Sequence, residues 1–400
     1  MTSLTTDCCI AGGGPAGLLA GFLLARAGVD VVVLEKHADF LRDFRGDTIH
    51  PSTLEVMHEL GLLESFLARP HQELRHVALR VGGEELEVAD FRHLPTHCKF
   101  VAMMPQWEFL DFVAREASKL KKFRLVMESE VQGLLRHGER IAGVAARTPA
   151  GRLEIGAQLV IGADGRHSTV RRQAGLEPED LGAPMDVLWL RVSRHESDPP
   201  DLFGQIEPGR MLVMIDRGAY WQCALLIRKG GYDALRQHDV SVVRDMLRSL
   251  SPWLGERVDE VADWDQVRLL SVVVDRLPVW HKPGLLCIGD AAHAMSPVGG
   301  VGVNLAVQDA VAAARLLAAP LRAGKVDEEA LERVQQRREW PARATQRLQL
   351  MLHKRLIGPV LAGQEPVHVP WGLRFVASRP LLRRIPAYVI GVGARPEHIH

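Results

Sequence analysis

The chain of 400 residues contains few cysteines, and none of them falls in a recognisable motif. The five cysteines, at positions 8, 9, 98, 223 and 287, are odd in number and lack C-x-x-C spacing. This pattern excludes a disulfide framework and gives no sign of a metal site. We expect buried or incidental thiols in a reducing compartment.

The chain also lacks an excess of charge of either sign. Lys and Arg number 49, and so do Asp and Glu, so nothing global indicates a nucleic-acid partner. The N-terminus lacks the basic region and apolar core of a signal peptide, and no uncharged apolar run approaches the ~18–20 residues of a membrane span. We expect a cytoplasmic protein without stable membrane insertion. Its length favours two domains, or one large domain with an insertion.

The N-terminal segment combines a buried strand, a glycine turn and a helix. Residues 6–11 predict the strand, and residues 18–27 predict a helix of small and apolar residues. In the G-x-G-x-x-G between them, Gly12 permits the tight turn, Gly14 lets a pyrophosphate approach, and Gly17 lets helix and strand pack. The helix N-terminus offers N–H groups and a positive dipole end to phosphates. The segment predicts half of a dinucleotide site.

A second predicted strand, residues 31–34, ends at Glu35, eighteen residues after Gly17. An acidic side chain there accepts hydrogen bonds from ribose hydroxyls and repels a 2′-phosphate. The half-site should therefore hold the adenosine of FAD or NAD rather than of NADP. A glycine-rich turn without a ligand stays open as the alternative for this segment alone.

Two later segments make the interpretation more specific. Residues 161–171 end a strand on Asp164-Gly165, and residues 289–304 combine a Gly-Asp pair, a proline and a glycine-rich turn. Together with the first motif, they look like three parts of one FAD site. An NAD dehydrogenase would explain only the first motif.

The remaining pattern predicts an α/β fold whose sheet-rich middle interrupts a nucleotide-binding domain. A capping-box spacing predicts a helix that starts at Ser52. Alternation predicts a hairpin over residues 74–88 with its turn at Gly82-Gly83, and antiparallel strands over residues 186–227. Further predicted elements are helices at 106–120, 240–250 and 304–317 and strands at 266–274 and 285–288.

The three motifs, in this order over residues 5–345, resemble the single-component flavoprotein aromatic hydroxylases, the p-hydroxybenzoate hydroxylase-like family. The resemblance implies a Rossmann-like, glutathione-reductase-like FAD-binding domain with an inserted β-sheet substrate domain and C-terminal helices. The implied FAD domain comprises residues 1–75, 100–180 and 275–345; the substrate domain comprises 76–99 and 181–274; and residues 346–400 form a helical or irregular extension.

The matched positions also imply a set of cofactor contacts. Asp290 should bond the ribityl chain, and the turn from Gly300 to Asn304 should present backbone N–H groups to the flavin pyrimidine edge. Negative charge accumulates at that edge, and donors at a helix N-terminus stabilise such charge. The full implied set is Gly12, Gly14, Ala16, Gly17, Glu35, Lys36, Arg45, Gln106, Asp164, Asp290, Gly300, Gly302, Val303 and Asn304.

The reaction that the resemblance implies uses FAD, a nicotinamide coenzyme and O2. NADPH or NADH reduces the flavin, a flavin C4a-hydroperoxide forms, and its terminal oxygen passes to an electron-rich aromatic carbon. The coenzyme would bind transiently, since no second Rossmann motif appears. The substrate would be a phenolic, quinone-like or polyketide-like small molecule, and the protein a monomer or homodimer.

Residues that contact the substrate or take part in catalysis are less evident. His50 lies in a loop that the family places near the flavin, where it would accept a phenolic proton or only hydrogen-bond the backbone. Pro297 is the second catalytic candidate. Alternation places Tyr220 and Gln222 on one face of a strand and Trp221 on the other, so one face is core and the other is a candidate pocket wall.

Residues 371–390 mix arginines with large apolar side chains. They would lie on a membrane surface or cover the FAD domain, and we favour the cover. Three other functions stay open beside the hydroxylase. A flavin halogenase is disfavoured because the chain has no Trp-x-Trp pair, a reductase of isoprenoid lipids shares the Gly-Asp motif, and a prenyl-binding escort protein would not need the flavin contacts.

Overall fold

The computed structural model describes residues 2–41, 48–199, 204–363 and 371–399. Its strands are β1 (Thr2–Ala11), β2 (Val31–Leu34), β3 (Thr48–Ile49), β4 (Gln72–Leu74), β5 (His76–Val81), β6 (Glu84–Asp90), β7 (Val101–Met103), β8 (Phe123–Val126), β9 (Glu130–His137), β10 (Arg140–Thr148), β11 (Gly151–Gly162), β12 (Glu179–Asp180), β13 (Met185–Ser193), β14 (Gly204–Glu207), β15 (Arg210–Asp216), β16 (Tyr220–Arg228), β17 (Arg268–Leu270), β18 (Asp275–Arg276), β19 (His281–Lys282) and β20 (Leu285–Cys287).

The helices alternate with these strands at first and dominate after residue 300. They are α1 (Pro15–Arg26), α2 (Pro51–Glu59), α3 (Leu63–Leu67), α4 (Gln106–Ser118), α5 (Thr169–Gln173), α6 (Tyr232–Arg236), α7 (Ser241–Leu250), α8 (Gly302–Arg322), α9 (Glu328–Leu352), α10 (Gly358–Leu361), α11 (Trp371–Ala377) and α12 (Arg384–Gly391). A π-helical turn, His353–Ile357, joins α9 to α10.

The first sheet is parallel at its centre. Strands β20, β11, β1, β2 and β8 lie side by side in that order, and β9 and β10 extend it as antiparallel strands. In register, Cys9 pairs with Val32 of β2 and Val160 of β11, while α1 packs against α8 beside the sheet. Ligands of such sheets bind beyond the carboxyl ends of the central strands. The predicted α/β fold is confirmed.

The second sheet is mostly antiparallel, in the order β17-β13-β16-β15-β14-β5-β6. Its strands β5 and β6 come from early in the chain, and their hairpin confirms the predicted turn at Gly82-Gly83. Along β16, Trp221 packs into the cluster beneath α7, whereas Ala224 packs on the opposite face in a cluster that includes Val298. The predicted alternation of this strand is therefore confirmed.

Several predicted boundaries differ from the structure: the helix predicted at 304–317 spans Gly302–Arg322, and the helix predicted at 18–27 begins at Pro15. Two further differences have a clear local reason. Helix α2 begins at Pro51 with His50 as its N-cap and makes no side-chain cap bond, so Ser52 does not start a capping box. Proline suits the first helical position because its missing N–H would have had no partner there. The strand predicted at residues 266–274 is only Arg268–Leu270, since a 3₁₀ turn occupies Trp264–Gln266.

Among the described residues, the stretch Val298–Arg322 is long and apolar enough to cross a membrane, and it contains an 18-residue window with a mean hydropathy of 1.3. In the structure 67% of it is buried, as in the core helix of a globular domain. The five cysteines are buried and free, as predicted. Burial raises the pKa of Cys9 to about 12, so this thiol is chemically inert.

The C-terminal segment contacts both sheets' domains. Helices α11 and α12 pack against β6, and the following residues return to the first domain, where Glu397 approaches Arg338 of α9. The Arg338 guanidinium is 1% exposed and donates to Asp309 of α8 over 3.0 Å. Its other end donates to Glu397 over 3.3 Å. One buried arginine thus joins two helices to the tail of the chain.

We predict that Arg338→Met lowers the free energy of unfolding by about 3 kcal/mol, because it removes the buried guanidinium shared by Asp309 and Glu397. Among the described residues, Asp309 then keeps only His293 as a cationic partner, and Glu397 keeps Arg337 and Arg315. Urea denaturation of the purified variant measures the change. Arg333→Met, at an exposed position of the same helix, should unfold like the wild type. Equal unfolding midpoints for the two variants would contradict the prediction.

Candidate cofactor site

The glycine turn after β1 is built by close backbone contacts. Gly12 has φ +105°, and a Cβ on it would lie 2.3 Å from the Ala163 carbonyl oxygen. A Cβ on Gly17 would lie 2.0 Å from the Gly12 carbonyl oxygen. Any side chain at either position would push β1, α1 and β11 apart. The first motif therefore lies directly against the end of the strand that precedes Asp164.

Gly14 differs from its neighbours because a Cβ on it would meet nothing within 4 Å. It is the N-cap of α1 and provides no side-chain cap bond, and Pro15 and Ala16 follow in the first turn. The first N–H groups of a helix have no intrahelical acceptor, so they can bind an anion. Open space and unpaired donors together fit the pyrophosphate of FAD.

The acidic side chain after β2 lies at the edge of this turn. Glu35 accepts hydrogen bonds from the Gly13 N–H over 3.0 Å and from the His37 N–H over 3.1 Å. Its carboxylate is thereby held beside the glycines, where the ribose of an adenosine would lie. Lys36 is exposed, and Gln106 is the first residue of α4. The predicted contact Arg45 falls outside the described residues.

The Asp164 carboxylate accepts hydrogen bonds from the start of the short helix that follows it. Its carboxylate accepts from the backbone N–H groups of Thr169 over 2.7 Å and Val170 over 3.1 Å, and from the Ser168 hydroxyl. The side chain therefore caps α5. The Asp-Gly motif brings the backbone of Ala163 against Gly12, and any contact of Asp164 with FAD is added to this structural role.

The Gly-Asp motif contacts the first turn of α1. Gly289 has φ +59°, and a Cβ on it would lie 3.0 Å from the Ala16 Cβ. Its N–H donates to buried Asp309 over 3.0 Å. Asp290 follows in the same 3₁₀ turn. The first and third sequence motifs are thus adjacent in space, although residues 18–288 separate them along the chain.

The turn before α8 is held by a threonine that sequence reasoning missed. The Thr48 hydroxyl donates to the Gly300 carbonyl over 2.9 Å, and a Cβ on Gly300, which has φ +63°, would lie 2.2 Å from that hydroxyl oxygen. The Gly300 N–H itself donates to the Pro297 carbonyl over 3.0 Å. The Gly300 N–H is therefore engaged within the turn, whereas the first N–H groups of α8, which begins at Gly302, have no intrahelical acceptor.

Asn304 ties this turn to the segment after β3. Its carbonyl oxygen accepts from the His50 N–H over 2.9 Å and from the Thr53 hydroxyl over 2.7 Å. Its amide nitrogen donates to the Gly300 carbonyl over 3.2 Å. The side chain of Asn304 is fully engaged within the protein, so this residue shapes the site by fixing the backbone.

His50 is buried, with 1% of its surface exposed. Its Nδ1 lies 2.7 Å from the Ile390 carbonyl oxygen. Because a carbonyl only accepts, Nδ1 carries the proton and Nε2 is the acceptor. Burial lowers the pKa of His50 to about 4, although the bond to Ile390 opposes the shift. The ring is neutral at pH 7 and connects the cofactor region to α12.

The substrate candidates lie on the sheet face that packs toward Val298. Gln222 is 4% exposed and accepts from the Arg217 Nε over 3.1 Å. The Arg191 guanidinium lies 5.0 Å above the Tyr220 ring. Both candidates thus lie on the same face of β16 as Ala224, which packs in the cluster that includes Val298.

The parallel sheet, the open glycine turn and the Gly-Asp turn beside it define an FAD-binding flavoprotein. The chain belongs to the family described as "FAD binding domain", whose model matches residues 5–348. It is 32% identical to a 6-methylpretetramide 4-monooxygenase of Streptomyces rimosus over 95% of this chain and 92% of that protein. It is an FAD-dependent aromatic monooxygenase.

Other relatives are longer or more distant. A rifampicin monooxygenase of Streptomyces venezuelae is 27% identical over 76% of this chain and only 62% of its own length. Two solved structures share the fold. OxyS anhydrotetracycline hydroxylase from Streptomyces rimosus has a TM-score of 0.75 at 22% identity, covering 97% of this chain and 76% of its own. PqsL from Pseudomonas aeruginosa has a TM-score of 0.75 at 21% identity, covering 90% and 98%.

We predict that Gly14→Ala weakens FAD binding by about tenfold or more, because the new methyl group enters the space of the pyrophosphate. Its φ of −75° suits alanine, so the apoprotein should melt at the wild-type temperature. Titration of apoprotein with FAD measures the affinity. Gly133→Ala, another open position, is the control, and wild-type affinity in Gly14→Ala would place the pyrophosphate elsewhere.

We predict that His50 makes stability depend on pH in the acid range. The unfolded chain takes up a proton at its ordinary pKa of about 6.5, whereas folded His50 stays neutral down to about pH 4. His50 therefore contributes stability above pH 6.5 that is lost as the pH falls toward 4, up to about 3 kcal/mol.

Unfolding free energies measured between pH 4 and 7.5 should fall less steeply in His50→Asn than in the wild type. His137→Asn, at an exposed strand end, should keep the wild-type slope. Parallel curves for His50→Asn and the wild type would show that His50 is not buried in the neutral form.

Proposed function

We propose that the chain uses NADPH or NADH and O2 to hydroxylate a polycyclic, phenolic, polyketide-like substrate. The observation that carries this proposal is the meeting of three distant motifs at one site, through the contacts of Gly12 with Ala163 and of Gly289 with Ala16. The names of the relatives support the substrate class, since they act on 6-methylpretetramide and rifampicin.

The protein's part is to bind and orient, while bound FAD supplies the oxygen-transfer chemistry. Gly302 and Val303 begin α8, whose N–H groups and dipole favour negative charge in front of them. Thr48 and Asn304 fix the preceding turn before any charge develops. Donors that are already in place stabilise developing charge without reorganisation.

The proposed substrate surface is the inward face of the second sheet. It combines apolar side chains with a few polar groups, as small-molecule sites do. Trp189, Val213 and Ala224 lie in the cluster that includes Val298, and Gln222 and Tyr220 continue the same face toward the start of β16. A flat aromatic skeleton suits such a surface, and Gln222 would orient its polar substituents.

His50 and Pro297 take supporting parts in this proposal. Because the His50 N–H and Nδ1 bind Asn304 and Ile390, we assign it a positioning role that holds the cofactor region against α12. The Pro297 carbonyl accepts a hydrogen bond from the Gly300 N–H, and this bond shapes the loop beside the proposed substrate face. We further propose a transiently bound nicotinamide coenzyme and a cytoplasmic monomer or homodimer.

Spectroscopy of the holoenzyme tests the proposal. Anaerobic NADPH or NADH should bleach the flavin, and a panel of fused phenols should include one that speeds bleaching. Isotopically labelled O2 should then deliver one oxygen atom to the product. If every aromatic leaves only hydrogen peroxide and unchanged phenol, the chain is not a hydroxylase of this substrate class.

We predict that Asp290→Ala binds FAD at least about tenfold more weakly while the fold persists, because it removes the carboxylate that we propose bonds the ribityl chain. Equilibrium titration with FAD and circular dichroism of the apoprotein measure the two effects. Asp245→Ala, exposed on α7, is the control. Retention of stoichiometric FAD at wild-type affinity would remove Asp290 from the cofactor site.

A further inference from the structure

We propose that Gln349 of α9 is a positioning residue for the flavin, acting through the loop of residues 294–300. The inference rests on the proposed placement of the flavin edge at Gly302 and Val303. It concerns a residue that contacts neither cofactor nor substrate.

Gln349 forms hydrogen bonds to the loop on both sides of Pro297. Its side-chain carbonyl accepts from the Ser296 N–H over 3.1 Å, and its amide nitrogen donates to the carbonyls of Ser296 and Val298, each over 2.9 Å. The residue is 3% exposed. Three backbone groups of this half-buried loop are thus bonded to one buried side chain.

Two neighbours on the same face of α9 also form hydrogen bonds to this loop or next to it. Gln346, one turn earlier, donates to the carbonyls of Asp275 over 2.7 Å and Ala294 over 3.1 Å. His353, one turn later, has its Nε2 2.8 Å from the Ser296 hydroxyl. His353 also begins the π-helical turn, and such turns often occur where a helix must redirect a side chain. The loop is therefore held at three successive turns.

The loop needs this support because it cannot satisfy its own backbone. Pro297 has no N–H, so residues 294–298 cannot form a continuous ladder of backbone bonds. Buried backbone groups without hydrogen-bond partners lower the stability of the fold, and Gln346 and Gln349 of α9 supply these partners. Two residues further on, the Gly300 N–H returns to Pro297, so the loop conformation fixes where α8 begins.

The loop also contacts the second sheet. Val298 packs in one cluster with Ala224 and Leu226 of the proposed substrate face and with Leu350 of α9. Gln349 therefore fixes a segment with the proposed substrate face on one side and the flavin turn on the other. A change at Gln349 should alter the flavin even when no substrate is bound.

The test replaces Gln349 with leucine and follows the bound flavin. We expect Gln349→Leu to bind FAD about tenfold more weakly. We also expect the midpoint potential of its flavin to become more negative, because misaligned donors stabilise the reduced, negatively charged ring less well. Gln336→Leu is the matched control, since Gln336 is exposed on the same helix and bonds only within it to Glu332.

A purely structural role predicts a different result. If Gln349→Leu lowers the melting temperature but leaves the FAD dissociation constant and the midpoint potential at the wild-type values, the inference is overturned. Neither measurement needs an aromatic substrate. A shifted potential in a protein that hydroxylates no phenol would reject the proposed substrate and leave this inference standing.

Two milder variants cover the case in which Gln349→Leu does not fold. Gln349→Glu keeps the acceptor for the Ser296 N–H and loses both donors, and Ser296→Ala removes the partner of His353. Each should move the potential in the same direction as Gln349→Leu, by less. Folded variants that both keep the wild-type potential and FAD affinity would overturn the inference.

Discussion

The buried carboxylate of Asp309 is the interaction on which the rest of the site depends. It accepts from the Gly289 N–H, from His293 over 2.6 Å and from Arg338 over 3.0 Å. Burial alone would raise the pKa of Asp309, but His293 and Arg338 hold it below the ordinary value. The carboxylate is therefore charged, and its contacts fix the Gly-Asp turn relative to α8 and α9. Displacing it would move the Gly-Asp turn and both helices together.

Close packing around the cofactor turns explains which parts of the site were readable from the sequence. Gly12 and Gly300 have positive φ and no room for a Cβ, so only glycine fits and the motif appears as a local pattern. Alternation along β16 was equally local, because a strand's side chains point to opposite faces by geometry. The three motifs and the α/β fold were therefore predictable.

The contacts that hold these turns were not predictable, because their partners are distant in sequence. Nothing local to His50 indicates Ile390, and nothing in the Gly-Asp motif indicates Arg338 or Glu397. Thr48 holds Gly300 through a single hydroxyl, in a sequence position where threonine is unremarkable. The start of α2 was also missed, since Ser52 fits a capping box as well as Pro51 fits the first helical position. Tertiary packing decided between them.

The turn before α8 is contacted by three elements that are distant from one another in the sequence. Thr48 of β3 and Gln349 of α9 hydrogen-bond to the turn and to the loop before it. Val298 packs this loop against the second sheet. Close-packed interiors transmit small displacements because they contain few voids into which a side chain could move. We therefore expect a ligand that shifts this sheet face to displace the loop that precedes Gly302 and Val303. A ligand on the proposed substrate face and a flavin edge at Gly302 and Val303 would therefore both depend on the conformation of this one loop.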